Sequence, residues 1–252
     1  MKSIFIEKSL GIDIREKSVT LTFLGKKLRA IEVLAEQTIA IKPLTGKDEK
    51  AEKHFLNKVN HFITEHNAWT ESVVLSLPRG YITFKTFELP APDLESAQSM
   101  VAFELERQFS SGLEDLNYTF QLTPKAENIF HIASAAIKKE IADYYLGLIR
   151  KLNLTPTILD VSTFANVNLG LSQDIENKPT LWALADISPE GLDIALVKNN
   201  VIEFSRNLNW SKPGIKETNS EGISDSVKIE SLSAEVTNSL IDELQQALSS
   251  SR

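Results

Sequence analysis

Apolar and polar residues alternate from the start of the chain. In "SLGIDIREKSVTLTFLGKKL", Ser9 to Leu28, Leu10, Ile12 and Ile14 fall on every second position. Val19, Leu21 and Phe23 do the same after a polar break, Arg15 to Ser18. A period of two is that of a half-buried strand, so this stretch predicts a β-hairpin with a charged turn. "RAIEVLAEQTIAI" predicts a third strand, and residues 42–50, "KPLTGKDEK", a loop. The period then changes. Phe55, Leu56, Val59, Phe62 and Ile63 recur at helical spacing, with Lys53, Lys58 and Glu65 on the other face. "ESVVLSLP", 71–78, reads as a buried strand and "YITFKTFELP", 81–90, as an alternating one that Pro90 and Pro92 stop. Asp93 is placed to cap a helix at 94–109, striped by Leu94, Ala97, Val101 and Leu105. "NYTFQLT" and "IFHIASAAI" predict two strands. A helix at 138–152 follows, with Ile141, Tyr144, Tyr145, Leu148, Ile149 and Leu152 as its apolar face. "PTILDV" and a short helix around 162–171 complete this half.

The polar stretch "SQDIENKPT", 172–180, marks a boundary. Beyond it, strands are expected at 181–187, 191–198 and 201–210, with tight turns at Pro189-Glu190-Gly191 and Asn199-Asn200. Residues 211–227 have no apolar periodicity and are expected to be a mobile loop. A last helix would carry the stripe Ile229, Leu232, Val236, Leu240, Leu244 and Leu248. The order of elements is that of an α/β protein with two domains, 1–172 and 180–252.

Composition narrows the function classes. Of 252 residues, 42% are hydrophobic and 24% charged, which permits a real core. The net charge of −7 argues against sequence-independent nucleic-acid binding, which needs a basic face. With no cysteine, there is no disulfide, thiolate nucleophile or cysteine-bound metal. No window approaches 18 apolar residues, so no transmembrane segment is expected. The N-terminus breaks its apolar run with Glu7 and Lys8 and is not a good signal peptide. Ser–His–Asp order, a P-loop and a dinucleotide fingerprint are all missing.

The first hairpin has an echo. "LADISPEGLDIAL" repeats the plan of "LGIDIREKSVTLTF": strand, Asp, short turn, strand. Asp13 and Asp186 hold equivalent places. Two halves that each open with such a hairpin are the plan of a ribonuclease H-like, duplicated actin-like fold, with ATP between the halves.

The ordered set of segments resembles a family. "LGIDIREKSVTL", "VVLSLPRGYITFKTFELP", "FELERQFSSGLEDLNYTFQL", "IASAAIKKEIADYYLGLIRKLNLTPTILDVSTFANVN", "ALADISPEGLDIALVKNNVIEFSRNL" and "LSAEVTNSL" occur in the order found in one group of actin-like proteins. These belong to the inner-membrane platform of type IV pilus and type II secretion machines, namely PilM and the cytoplasmic domain of GspL. The resemblance implies a two-lobed actin-like fold. It also implies a cytoplasmic scaffold at the inner face of the bacterial inner membrane. The partner would be the short cytoplasmic tail of a bitopic membrane protein if PilM-like, or the secretion motor ATPase if GspL-like. A working ATPase and a cell-division scaffold of the same superfamily are the alternatives.

The departures from the family pattern bear on chemistry. ATP-binding relatives place Gly after the first Asp-Ile; this chain has Arg15. At the second hairpin it has Ser188, then Pro189, which has no N–H to offer a phosphate. Asp13, Arg15, Lys17, Ser18, Asp186 and Ser188 are therefore expected to form a degenerate nucleotide cleft. No catalytic residue, metal site or cofactor is expected, although ATP with Mg²⁺ is the ligand that the cleft's ancestry implies. Asp13 and Asp186 are more simply turn residues that satisfy local N–H groups. Arg15 and Lys17 are more simply a solvated turn. Glu104 and Glu106 point to different faces of one helix and read as solvated charge. His54, His61 and His66 lack a carboxylate at ligand spacing. Trp69, Trp182 and Trp210 read as core or interface residues.

The family continues past "LSAEVTNSL" with at least one more strand and helix. The second lobe is therefore expected to be reduced or truncated, the chain being either a domain fragment or a reduced form of the fold as in the GspL cytoplasmic domain, and this part would lead toward further sequence and a membrane anchor. Apolar surface would then be left uncovered along Leu232, Val236, Leu240 and Leu244. That stripe is the expected contact for a partner or for a homodimer.

Overall fold

The computed structural model describes residues 5–28, 30–109, 112–173, 180–188 and 191–209, together with Asn238, Ile241, Asp242 and Gln245. The expected loop 211–227, Pro189, Glu190, Trp210 and the stripe Leu232, Val236, Leu240 and Leu244 lie outside the described residues. The chain divides into two compact units. One comprises Met1–Pro78 and Glu140–Ala165, the other Arg79–Lys139 and Asn166–Arg252.

The first unit is built on a five-stranded sheet. Strands β1 (Glu7–Ile14), β2 (Ser18–Lys26), β3 (Ile31–Ala40) and β4 (Ser72–Leu77) contribute to it. The fifth strand, Ile158–Val161, is β8 in chain order, after β5 (Ile82–Pro90), β6 (Leu116–Ala126) and β7 (Ile129–Lys138). The strand order is β3-β2-β1-β4-β8. The hairpin expected at Ser9–Leu28 is present, with Asp13 opposite Thr20 and Ile14 opposite Val19. β1 runs parallel to β4, and β4 parallel to β8. Alternation sets the faces: Leu10, Ile12 and Ile14 are buried, while Ser9, Gly11 and Asp13 on the other face are half-buried.

Helices α1 (Glu49–Glu65) and α3 (Lys139–Arg150) complete this core. α1 buries Phe55, Val59, Phe62 and Ile63 at helical spacing. It starts inside the stretch expected to be a loop, because the Asp48 carboxylate accepts from the N–H groups of Lys50 and Ala51. That is an N-cap, which satisfies donors a helix end otherwise leaves open. α3 buries Ala142, Tyr145, Leu148 and Ile149. The Tyr145 hydroxyl donates to the Leu44 carbonyl at 3.2 Å. That of Tyr144 donates to Glu52 at 2.9 Å.

The second unit holds two three-stranded sheets. One has the order β5-β7-β6, all antiparallel. Helix α2 (Leu94–Gln108), capped by Asp93 as expected, adds Ala97, Val101 and Leu105 to a core with Leu89, Ile132 and Ala136. β6 runs three residues beyond the expected end at Thr123, passing Pro124 at an irregularity in its pairing with β7. An edge strand tolerates proline there, since the ladder needs no N–H on its open side.

The other sheet is β11-β10-β9, from β9 (Leu181–Ile187), β10 (Gly191–Lys198) and β11 (Val201–Asn209). Asn199 and Asn200 both have positive φ, at 51° and 67°, as a two-residue turn matched to strand twist requires. Helix α4 (Ser162–Ser172) supplies Val167 to a small core with Ala195 and Val197. Trp182 packs against that core.

Compactness follows a different line from the expected division at 172–180. Residues 79–139 group with 166–252 because β11 is bonded to that segment. Thr86 donates to the Glu203 carbonyl at 3.2 Å, and Arg79 reaches Ser205. These ties join residues more than 100 positions apart and leave no local pattern in the sequence.

Gly191 opens β10 under a tight constraint. A Cβ there would lie 2.2 Å from the Leu208 carbonyl oxygen. Gly191→Ala is expected to shift the β10–β11 ladder and cost about 1–3 kcal/mol, measured by urea denaturation. A loss within about 0.3 kcal/mol of zero would show that the ladder gives way freely.

Candidate functional site

The two hairpins place their aspartates alike. Asp13 is the next-to-last residue of β1, and Asp186 the next-to-last of β9. Each is half-buried on its own strand.

In the first unit, both Asp13 carboxylate oxygens are engaged. Arg15 Nε donates to Oδ2 at 2.9 Å. Ser162 Oγ, at the start of α4, donates to Oδ1 at 2.5 Å. The turn closes on itself, with the Arg15 N–H donating to the Ser18 carbonyl at 2.8 Å. The Lys17 carbonyl accepts from the Ile41 N–H at 2.8 Å. Sequence order thus brings Asp13, Arg15, Lys17 and Ser18 into one turn, and the fold adds Ser162.

Asp160 is a further member that sequence reading passed over. It lies on β8, and its Oδ1 accepts from the Val161 N–H at 2.7 Å. Burial raises its pKa above the ordinary value, the bond from Val161 opposes that, and the negative charge of Asp13 adds to the rise. Its only trace in the sequence was "LDVS", a strand that ends in an Asp and runs into a helix. Thr163, one residue past Ser162, is buried with its hydroxyl unpaired among the described residues.

In the second unit, Asn166 Nδ2 donates to Asp186 Oδ2 at 3.2 Å. Ser188 is tied to Gly191 three ways. Its N–H donates to the Gly191 carbonyl at 2.9 Å, its hydroxyl donates to the same oxygen at 3.2 Å, and it lies 3.1 Å from the Gly191 N–H.

The other candidates separate. Glu104 pairs with Arg107 at 2.8 Å, and Glu106 is exposed. His61 sits 3.4 Å from Glu65, and His66 caps α1 with its ring against Phe62. Among the described residues, no three His, Cys, Asp or Glu side chains gather in an arrangement able to hold a metal. No helix of the described residues is long and apolar enough to cross a membrane.

A buried polar cluster in the second unit was not foreseen. Arg79 opens a short 3₁₀ turn, Arg79–Tyr81, and is 5% exposed. Its Nε donates to Ser205 Oγ at 2.7 Å and Nη2 to the Ser205 carbonyl at 2.6 Å, while Nη1 donates to the Ile82 carbonyl. Asp193, also buried, accepts from Asn207 Nδ2 at 2.6 Å. Burial lowers the Arg79 pKa to about 10, and the charge of Asp193 opposes the fall. At neutral pH the guanidinium stays charged.

The sequence matches the family described as type IV pilus assembly protein PilM over residues 11–237. The chain belongs to the PilM family. No curated protein sequence matches it. Among solved structures it is similar to a chain of the PilM-PilN type IV pilus biogenesis complex. The TM-score is 0.67 at 19% identity, with 80% of this chain and 61% of that chain covered. It is also similar to the cytoplasmic domain of EpsL, an inner membrane component of the type II secretion system of Vibrio cholerae. Here the TM-score is 0.53 at 12% identity, with 80% and 71% covered. The expected actin-like α/β fold is therefore present. The PilM-family chain spans about three-fifths of the length of its counterpart in the pilus complex.

Two outcomes follow from this geometry. The raised pKa of Asp160 means that the native state holds its proton more tightly than the unfolded chain does. The stability it contributes therefore falls as pH rises from the ordinary value, 3.8, through the raised one, and stays low above it. Asp160→Asn keeps the acceptor for the Val161 N–H. It is expected to melt above the parent at pH 7 and to converge with it as pH falls toward about 4, by thermal denaturation. A gap that does not change with pH would sink this account. Arg79→Lys keeps the charge but loses the planar fork that reaches Ser205 twice. It is expected to cost about 2–4 kcal/mol by urea denaturation; a loss under about 0.5 kcal/mol contradicts it.

Proposed function

We propose that this chain is an actin-like scaffold of a type IV pilus inner-membrane platform. It works in the cytoplasm against the membrane face, docks the short cytoplasmic tail of a membrane partner and does not turn over ATP. The family match supports the pilus role, and the likeness to a chain of a PilM-PilN complex supports docking of a partner. One observation carries the absence of turnover: Arg15 closes on Asp13 at the position where an ATP-handling hairpin offers glycine. A phosphate cradle needs outward N–H groups and close backbone approach. The Arg15 and Ser188 N–H groups are spent inside their own turns, and the Asp13 oxygens are spent on Arg15 and Ser162. Asp13, Arg15, Lys17 and Ser18 in the first unit, and Asp186 and Ser188 in the second, are then each the remains of a phosphate-binding hairpin.

Calorimetric titration with ATP and Mg²⁺ is expected to show no saturable binding, and a phosphate-release assay no turnover. A dissociation constant in the micromolar range, or steady release of phosphate, would return the chain to the working ATPases.

A further inference from the structure

The geometry points to a second anion site, in the first unit, that takes a phosphate group on a small apolar body. A cavity of about 430 Å³ is lined by Ala40, Ile41, Lys42, Lys50, Ala51 and His54. That volume is in the range of small-ligand clefts. Ile41 and Ala51 are buried and make an apolar floor. Lys42, Lys50 and His54 supply the polar lining. Lys50 and His54 are four residues apart on α1, so they share one face. Lys42 comes from the loop after β3.

The frame around these side chains is fixed. The Ile41 N–H donates to the Lys17 carbonyl, and the Leu44 carbonyl accepts from Tyr145. Leu44 is itself buried. Gly46 turns the loop with φ +72°, where the Tyr144 ring leaves little room for a Cβ. Lys42 is thus presented by a pinned loop and Lys50 by a capped helix. The helix end is not what would hold the anion, because Asp48 already takes the N–H groups of Lys50 and Ala51.

The local charge balance favours an anion. Asp48 is committed to the cap, and Glu52 to Tyr144 and to Lys151 at 3.3 Å. Glu49, in the first turn of α1, and Glu16, beside Lys17, are exposed acids. Lys42, Lys50 and His54 make no ion pair among the described residues. Lysine ammoniums act on phosphate as point charges, and the buried Ile41 and Ala51 suit an attached carbon skeleton. In a chain of net charge −7, this is a local reversal of sign. Two sources share this chemistry, a soluble phosphoester and an anionic lipid headgroup. The site lies within one unit and does not depend on the reading of Asp13 or of the partner tail.

The test uses the whole chain with phenyl phosphate, inorganic phosphate, and vesicles of phosphatidylglycerol or of phosphatidylcholine. Binding is followed by amide chemical shifts for the soluble probes and by co-sedimentation for the vesicles. Saturable shifts around residues 40–54 with phenyl phosphate identify a soluble source. Binding to phosphatidylglycerol vesicles alone identifies the headgroup. The double variant Lys42→Gln/Lys50→Gln is expected to weaken either by at least about tenfold. The double variant Lys47→Gln/Lys53→Gln, which removes the same charge outside the cavity lining, is expected to change it less than about twofold. Melting curves of both variants check folding. Equal losses in the two variants would reduce the effect to diffuse charge and overturn the site. So would no response to any of the probes.

Discussion

The first unit depends on the central place of β1 between β2 and β4. An antiparallel neighbour can follow through a short turn, and β2 does. A parallel neighbour cannot, so the chain must cross over through β3 and α1 before β4 can pair. A second crossover, far longer, precedes β8. Because β1, β4 and β8 are parallel, their carboxyl ends meet along one edge of the sheet. Asp13, Asp160 and Ser162 come from those ends. Ligands of open α/β sheets bind at such edges, and here the edge has closed on itself through Arg15 and Ser162. The functional reading of the protein thus rests on a backbone constraint before it rests on any side chain.

Local pattern made much of this legible. Period two gave the hairpins, period 3.6 gave α1, α2 and α3, and paired asparagines gave the β10–β11 turn. The start of α1 was misplaced because Asp48 sits among Lys47, Glu49 and Lys50, where charge masks a cap. Arg79 was hidden for another reason. After Pro78 and before Gly80 it looks like part of a solvated turn, and besides the Ile82 carbonyl its hydrogen-bond partner is Ser205, with the charge of Asp193 nearby. A buried polar group must find hydrogen bonds, but nothing near it in the sequence says where. Asp160 was passed over because one carboxylate at a strand end is indistinguishable from a turn residue until its neighbours are known. The grouping of 79–139 with 166–252 escaped notice on the same ground.

Charge is organised differently in the two units. In the second, a buried guanidinium and carboxylate bind segments together, and their bonds are satisfied inside the protein. In the first, the cations of the β3–α1 loop and of α1 face outward around a cavity. Buried charge tends to hold register and is costly to disturb, whereas outward charge costs the fold little and remains open to ligands. In this actin-like chain of the PilM family, charge thus serves cohesion in the second unit and stays at the surface in the first.

The length of the crossover between β4 and β8 bears on how the protein is made. Val74 pairs with Ile158, 84 residues later. At a ribosomal pace of 5–20 residues per second, that interval lasts about 4–17 s. Throughout it, one edge of β4 has emerged from the ribosome without its neighbour, and Asp13 lacks Ser162. The inserted sheet β5-β7-β6 and α2, with local antiparallel pairing, can form during the wait. The nascent chain is therefore most open to mispairing along β4, a Val- and Leu-rich strand whose shelter is the last part of its sheet to be synthesised.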